Sequence, residues 1–271
     1  MRLEGKVALI TGGGRGIGRE TTMQLAKEGA AVVINDIDPE PAQALADEIS
    51  ASGGKAVICP GNITHPDFPK TFIDKATSSF GDIHIIVNNA GFAWDGVIQK
   101  LSDDQFDAMI DVHVKAPWRI LREASEIIRI NAKHERSLGR SVCRKVVNVS
   151  SISGTRGNAG QTNYSAAKSA VVGMTRSIAK EWGRYNVTAN CIAFGLIDTR
   201  LTKATDSKNE AKIGERLIPM GIPVQNVDSA VSAIPLGRAG SPREAGGAIL
   251  LMCLPESDYI SGQLIEVTGG Q

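Results

Sequence analysis

The stretch "KVALITGGGRGIG", residues 6–18, runs from an apolar segment straight into a cluster of glycines. Residues 6–11 read as a strand buried on both faces, and Gly16 to Gly29 as the helix that follows it. Gly12, Gly16 and Gly18 give a G-x-x-x-G-x-G spacing, a variant of the dinucleotide fingerprint. The physical reason is access: bare glycines let backbone amides and the positive end of the helix meet a pyrophosphate that a side chain would hold away. Glycine serves any tight turn equally well, so the loop alone leaves both readings open.

The chain beyond the loop repeats the same rhythm. "AVVIND" (31–36) reads as a second strand, followed by a helix from Pro39 to Ser52 with its proline in the first turn. "KAVICP" (55–60), "IHIIVNN" (83–89), "KVVNVSS" (145–151), "VTANCIA" (187–193) and "QLIEVTG" (263–269) are the remaining strands. Helices are expected over 66–80, 102–131, 162–184 and 242–254, with Ser102 as an N-cap and Asp103 and Asp104 near a positive helix end. Strand–helix–strand units with doubly buried strands imply an α/β fold: one Rossmann-type, doubly wound parallel sheet of about seven strands, helices on both faces, in a single domain over 1–271. Two segments break the rhythm. "NAKHERSLGRSVCRK" (131–145) reads as a solvated basic extension of the long helix. Residues 198–240 show no clear strand and read as a substrate lid or loop region.

Composition narrows the class. The 271 residues are 42% hydrophobic and 22% charged, with a formal net charge of +1, so nothing favours nucleic acid or an anionic membrane as partner. No apolar run approaches the ~18 residues of a membrane span, and the N-terminus lacks the pattern of a signal peptide. Cys59, Cys143, Cys191 and Cys253 lie far apart without metal-site spacing, so no metal is expected; dispersed thiols suit a reducing, cytoplasmic setting.

Two features carry chemistry. Asp36 ends the second strand 18 residues after Gly18, where a carboxylate can accept from an adenosine ribose and repel a 2′-phosphate. NAD(H) is therefore the preferred cofactor, with NADP(H) possible because Arg15 could meet a phosphate; Asp36 could also be a solvated turn residue before Pro39. Tyr164 and Lys168 are four residues apart on a helix, hence on one face: either a surface contact or an ammonium set beside a phenol to change its acidity.

The glycine loop, "VNNAG" (87–91), "VNVSSISG" (147–154) and "YSAAK" (164–168) resemble, in the same order, the motifs of the short-chain dehydrogenase/reductase family, nearly end to end. Within it, "GKVALITGGGRGIGR" and "SSISGTRGNAGQTNYSAAKSAV" most resemble the 3-oxoacyl-(acyl carrier protein) reductase group. The resemblance implies a catalytic set of Ser151, Tyr164 and Lys168. Tyr164 would exchange a proton with the substrate oxygen, Lys168 would lower the phenol's pKa and hold the nicotinamide ribose, and Ser151 would hold the substrate oxygen. It also implies cofactor contacts from Gly12, Arg15, Gly16, Ile17 and Gly18, from Asn62 and Ile63 at the adenine, and from Asn89, Ala90 and Gly91. Ile197 and Thr199 would lie near the carboxamide. Asn88 is better read as a structural strand end.

Two positions depart from the family pattern. His113 stands where the family usually has an Asn that helps a proton relay; it could serve the relay, titrate within it, or simply pack. Phe194 replaces the proline of a Pro-Gly pair and would loosen or narrow the nicotinamide end. The expected activity is hydride transfer between NAD(P)(H) and a ketone or secondary alcohol, most like 3-oxoacyl-thioester reduction. A dehydrogenase of a sugar, polyol, steroid or other small alcohol is the alternative, and a non-catalytic dinucleotide sensor the alternative of another class. The resemblance further implies a homo-oligomer, tetramer or dimer.

Overall fold

Apolar residues on alternate faces of each central strand leave the sheet no solvated side, so helices must cover both. Val7 and Leu9 of β1 (Val7–Ile10) join a cluster with Phe72, Ile120 and Ile178, whereas Ala8 and Ile10 join another with Leu25, Leu45 and Ile249. The computed structural model describes residues 1–200, 202, 204–205, 210–213, 216–219 and 221–271. In it β1, β2 (Ala31–Ile34), β3 (Ala56–Ile58), β4 (Ile85–Asn88), β5 (Arg144–Ser151), β6 (Val187–Phe194) and β11 (Leu264–Val267) form one parallel sheet of order β3-β2-β1-β4-β5-β6-β11. α1 (Gly16–Lys27), α2 (Pro39–Ala51) and α9 (Pro242–Cys253) supply one layer; α3 (Phe68–Phe80), α5 (Ala116–Ser137) and α7 (Thr162–Trp182) supply the other. The strand order reverses between β1 and β4, and the crevice beyond their carboxyl ends is where such folds bind ligands.

The expected strands and helices are present, with shifted ends and four differences. The helix expected over 102–131 is α4 (Asp103–Ile110), a π-helical turn over Asp111–Lys115, and α5, which continues to Ser137. Ser102 caps α4 through a capping box with Gln105: its Oγ accepts from Gln105 N at 3.3 Å and its N donates to Gln105 Oε1 at 3.0 Å. A short helix, α6 (Ile152–Arg156), follows β5 directly.

The basic connection is not solvated throughout. Arg144 is 1% exposed, its guanidinium held by Glu135 (2.7 and 2.8 Å), Asp82 (2.9 Å) and the Ile83 carbonyl (3.0 Å). Lys145 is also buried, its Nζ 2.7 Å from Asp258 Oδ1 and 3.1 Å from Ser257 Oγ. Charge in the sequence reads as solvation; here two carboxylates close in space supply the compensation that burial demands.

Residues 198–240 do contain strands: β7 (Ala204–Thr205) pairs with β10 (Ile222–Pro223), β8 (Glu210–Ile213) pairs with β9 (Arg216–Pro219), and α8 (Val224–Ser232) follows. Two- and four-residue strands are too short to show a period in sequence. The lid reading for this segment falls partly outside the described residues. Among the described residues no helix is long and apolar enough to cross a membrane, and no group of His, Cys, Asp or Glu could hold a metal ion. All four cysteines are free thiols.

Candidate active site

The carboxyl ends of β1, β4, β5 and β6 open into a cavity of about 980 Å³. Gly12, Arg15, Gly16, Ile17, Gly18 and Asp36 line one part of it, and Asn62 and Ile63 lie there too. Asn89, Ala90, Gly91, Ile197 and Thr199 line the same cavity, as do Ser151, Tyr164, Lys168 and His113. Residues spread over nearly 190 positions of sequence are thus brought to one crevice.

The glycines have separate reasons to be glycine. A Cβ on Gly18 would lie 1.9 Å from the Gly12 carbonyl oxygen, so this residue permits the loop to fold onto its own helix. Gly12 has φ +60° and passes within 2.9 Å (Cβ position) of Ala90 Cα. Gly16 has φ +52°, and a built Cβ would lie in ordinary contact, 3.7 Å from Thr199 Cγ2. α1 begins there with no side-chain cap and no acidic residue in its first turn, so its leading N–H groups and positive end suit an anionic pyrophosphate. The residues present therefore fit a dinucleotide. Asn89 ties this loop to β4: its Nδ2 donates to the carbonyls of Thr11 (3.0 Å) and Gly12 (3.1 Å), and Thr11 Oγ1 accepts from the backbone N of Asn89 and Ala90. Its side chain is spent on the loop. Asn88 is structural as read, donating to Asn148 Oδ1 across to β5 at 2.7 Å.

Asp36 is 8% exposed, its Oδ2 accepting from Gly14 N (3.1 Å) and its Oδ1 from Asp38 N (3.2 Å). Arg15 is paired with Asp38 at 2.5 Å, a partner the sequence reading did not single out.

Ser151 ends β5 and caps α6, its Oγ accepting from Ser153 N at 3.2 Å. Tyr164 and Lys168 occupy successive turns of α7, the ammonium 5.6 Å from the phenol ring centroid. Lys168 is 4% exposed and donates from Nζ to the Val149 carbonyl at 2.9 Å. Burial brings this amine down to about 8. The expected depression of the Tyr164 phenol is absent. Burial pushes the phenol up to about 12, the Ser151 hydroxyl pulling down and the Asp95 carboxylate pushing further up. The ammonium donates to Val149 and sits over the ring, and desolvation is the largest effect at the phenol.

His113 sits in the π-helical turn, 2% exposed, and its Nε2 donates to the Phe92 carbonyl at 2.7 Å. Its ring meets the Tyr164 ring edge-on, centroids 5.2 Å apart at 82°. Burial first, then the Lys168 charge, holds its pKa well below the ordinary histidine range, while the hydrogen bond to Phe92 pulls the other way. Its Nδ1 is buried with no hydrogen-bond partner among the described residues. Gly91 packs flat against this ring; a Cβ there would fall 2.1 Å from His113 Cε1. Phe194 is 5% exposed and packs in the core at the end of β6.

Asp95 and Gln161 also line the cavity; the sequence singles out neither as an individual residue, because no periodicity marks a position on a loop.

A doubly wound sheet whose switch-point crevice joins an uncapped glycine loop to a serine, a tyrosine and a lysine defines a dinucleotide-linked oxidoreductase. The chain belongs to the short chain dehydrogenase family, whose model matches residues 6–210. It is 36% identical over 270 residues to the 3-oxoacyl-[acyl-carrier-protein] reductase FabG of Thermotoga maritima, covering 100% of this chain and 99% of the relative. It is 34% identical over 271 residues to the (2S)-[(R)-hydroxy(phenyl)methyl]succinyl-CoA dehydrogenase subunit BbsD of Thauera aromatica, covering 100% and 98%. Among solved structures it resembles a short chain dehydrogenase from Burkholderia cenocepacia in complex with NADP, with TM-score 0.83 and 28% identity over 100% of this chain and 99% of that one. The chain is thus an NAD(P)-dependent oxidoreductase.

Proposed function

We propose that the protein reduces 3-oxoacyl thioesters to 3-hydroxyacyl thioesters with NAD(H) as the preferred cofactor. The observation that carries this reading is the meeting of Ser151, Tyr164 and Lys168 in the crevice that also holds the glycine loop. A nicotinamide cofactor held along the glycine loop and Lys168 would supply the hydride for the carbonyl carbon. Ser151 holds the carbonyl oxygen by a hydrogen bond and orients it. Tyr164 delivers the proton to that oxygen as it gains charge, and solvent returns a proton to the phenolate. A phenol pushed up to about 12 is protonated throughout the neutral range, which suits a proton donor in the reductive direction. Lys168 keeps N–H groups beyond the one given to Val149, and these can hold a ribose hydroxyl. His113 is a positioning residue in this reading, fixing the phenol ring by edge contact while Phe92 fixes its tautomer.

The NAD(H) preference rests on charge. A 2′-phosphate at the ribose end would meet the carboxylates of Asp36 and Asp38 and a guanidinium, Arg15, that is already paired. A second reading, oxidation of a secondary alcohol on a coenzyme A thioester, draws support from the Thauera aromatica relative. A cytoplasmic homo-oligomer, dimer or tetramer, completes the proposal. Free thiols suit the compartment, and Phe106, Trp118, Ile130, Leu251 and Tyr259 expose apolar surface for association.

Tyr164→Phe is the test. Turnover of a 3-oxoacyl thioester should fall by about 10²- to 10⁴-fold while NADH binding, read by fluorescence titration, persists. Retained turnover would remove Tyr164 from the chemistry and return the cofactor-sensing alternative.

A further inference from the structure

The cavity wall beside the phenol is formed by the segment after β4, fastened to the loop that precedes α7. Gly96 N donates to the Gly160 carbonyl at 2.8 Å, and Gly96 and Gln161 form an isolated parallel bridge. Asn163 Nδ2 reaches back to the Trp94 carbonyl at 3.0 Å. Within this fastening, Gln161 Nε2 donates to both oxygens of Asp95, at 3.0 and 2.9 Å. Gln161 is itself fixed: its Oε1 accepts from Ser153 Oγ (2.8 Å) and Asn158 Nδ2 (3.0 Å). The Asp95 carboxylate is thereby held in one orientation on the cavity wall, and Gln161, which clasps it, lies three residues before Tyr164.

Its charge is not cancelled locally. Its hydrogen-bond donor is a neutral amide, and among the described residues no cation is ion-paired with it. Arg156, which lines the same cavity, is ion-paired with Glu266. The carboxylate lines the cavity together with Ser151 and Tyr164 and pushes the phenol's pKa further up. A negative charge on the wall of the cavity that also holds Ser151 and Tyr164 can discriminate among ketones by their own charge. A thioester or ester is neutral next to its ketone; a free oxo acid carries a carboxylate there.

We propose that Asp95 is a specificity-determining residue of this site: held by Gln161 beside Tyr164, its carboxylate admits ketones whose neighbouring acyl group is neutral and rejects those bearing a free carboxylate. The inference rests on the 3-oxoacyl reading of the site and explains how that site separates an esterified chain from the free acid. Like charges about 6 Å apart at an effective dielectric constant of about 40 disfavour the anion by about tenfold. Because that repulsion crosses a water-accessible cavity, added salt weakens it.

The experiment compares methyl acetoacetate with acetoacetate, the same ketone neutral and charged, using the full chain with saturating reduced cofactor at pH 8. In Asp95→Asn, whose amide oxygen still accepts from Gln161, the ratio of kcat/KM for ester over anion should fall by about tenfold. Asp95→Glu, which restores the charge, should keep the wild-type ratio. The wild-type ratio should also shrink between about 0.02 and about 0.5 M KCl. A ratio in Asp95→Asn within about twofold of wild type, or an equal fall in Asp95→Glu, overturns the proposal. If Asp95→Asn does not fold, a wild-type ratio indifferent to KCl overturns it. Should the wild type reduce neither compound but reduce pyruvate or methyl pyruvate, the 3-oxoacyl reading alone fails. The ratio for that 2-oxo pair then decides the role of Asp95.

Discussion

Replacing Lys168 by methionine should make the cofactor-free protein more stable at neutral pH while abolishing turnover. The amine is 4% exposed, makes one hydrogen bond, to the Val149 carbonyl, and is brought by burial from 10.5 to about 8. That fall disfavours the ionised amine in the native state by about 3 kcal/mol at pH 7. The sign follows from proton counting. Between about pH 8 and 10.5 the native lysine holds fewer protons than the unfolded one, so stability rises with pH through that window and carries the full penalty below it. Moving from pH 7 to pH 9.5 should stabilise the wild type by about 2 kcal/mol more than Lys168→Met. Urea unfolding of both proteins at both pH values, at one protomer concentration and without cofactor, measures this. Comparing the two pH differences removes every other titrating group. If the two proteins respond to pH alike within about 0.5 kcal/mol, or the variant is the less stable at pH 7, the account of a desolvated ammonium is wrong.

Two further outcomes follow from the same geometry. Asp36→Ala should raise the ratio of kcat/KM for NADPH over NADH by at least about tenfold, because it removes a carboxylate from the ribose end. Steady-state kinetics with both cofactors checks this, and a wild type already favouring NADPH refutes the basis. Gly91→Ala drives a methyl to 2.1 Å from His113 Cε1 and should cost about 1–3 kcal/mol, lowering Tm and reducing kcat more than it changes KM. Adding His113→Ala should recover most of the Tm; no recovery would mean that the clash is relieved elsewhere.

The sheet was legible because strands such as Val7–Ile10 and Ala31–Ile34 are short unbroken apolar runs set between amphipathic segments. The π-helical turn at Asp111–Lys115 was not, since one extra residue in a turn leaves the surrounding helical pattern intact. The site residues could be gathered from motif order, but their electrostatics could not. Tyr164 and Lys168 are neighbours as their spacing implies, yet burial, which spacing does not encode, decides which way each pKa moves. Arg144 shows the same limit at the other end of β5: Asp82 and Glu135 are 62 and 9 residues from it, and only folding brings both to its guanidinium. Asp95 escaped notice for the opposite reason, lying on an irregular segment whose importance comes from what it faces.

The reversal of strand order between β1 and β4 divides the labour of the chain lengthwise. The loops after β1, β2 and β3 bring Gly12 to Gly18, Asp36 and Asn62 to the crevice, and the segments after β4 and β5 bring Asp95, Ser151, Tyr164 and Lys168. At the tops of β1 and β4 the halves are laced by a few hydrogen bonds, chiefly those of Thr11 with Asn89 and Ala90. A lineage could therefore rework its choice of substrate through the later loops while the earlier ones keep their nucleotide, provided that this narrow seam stays stitched.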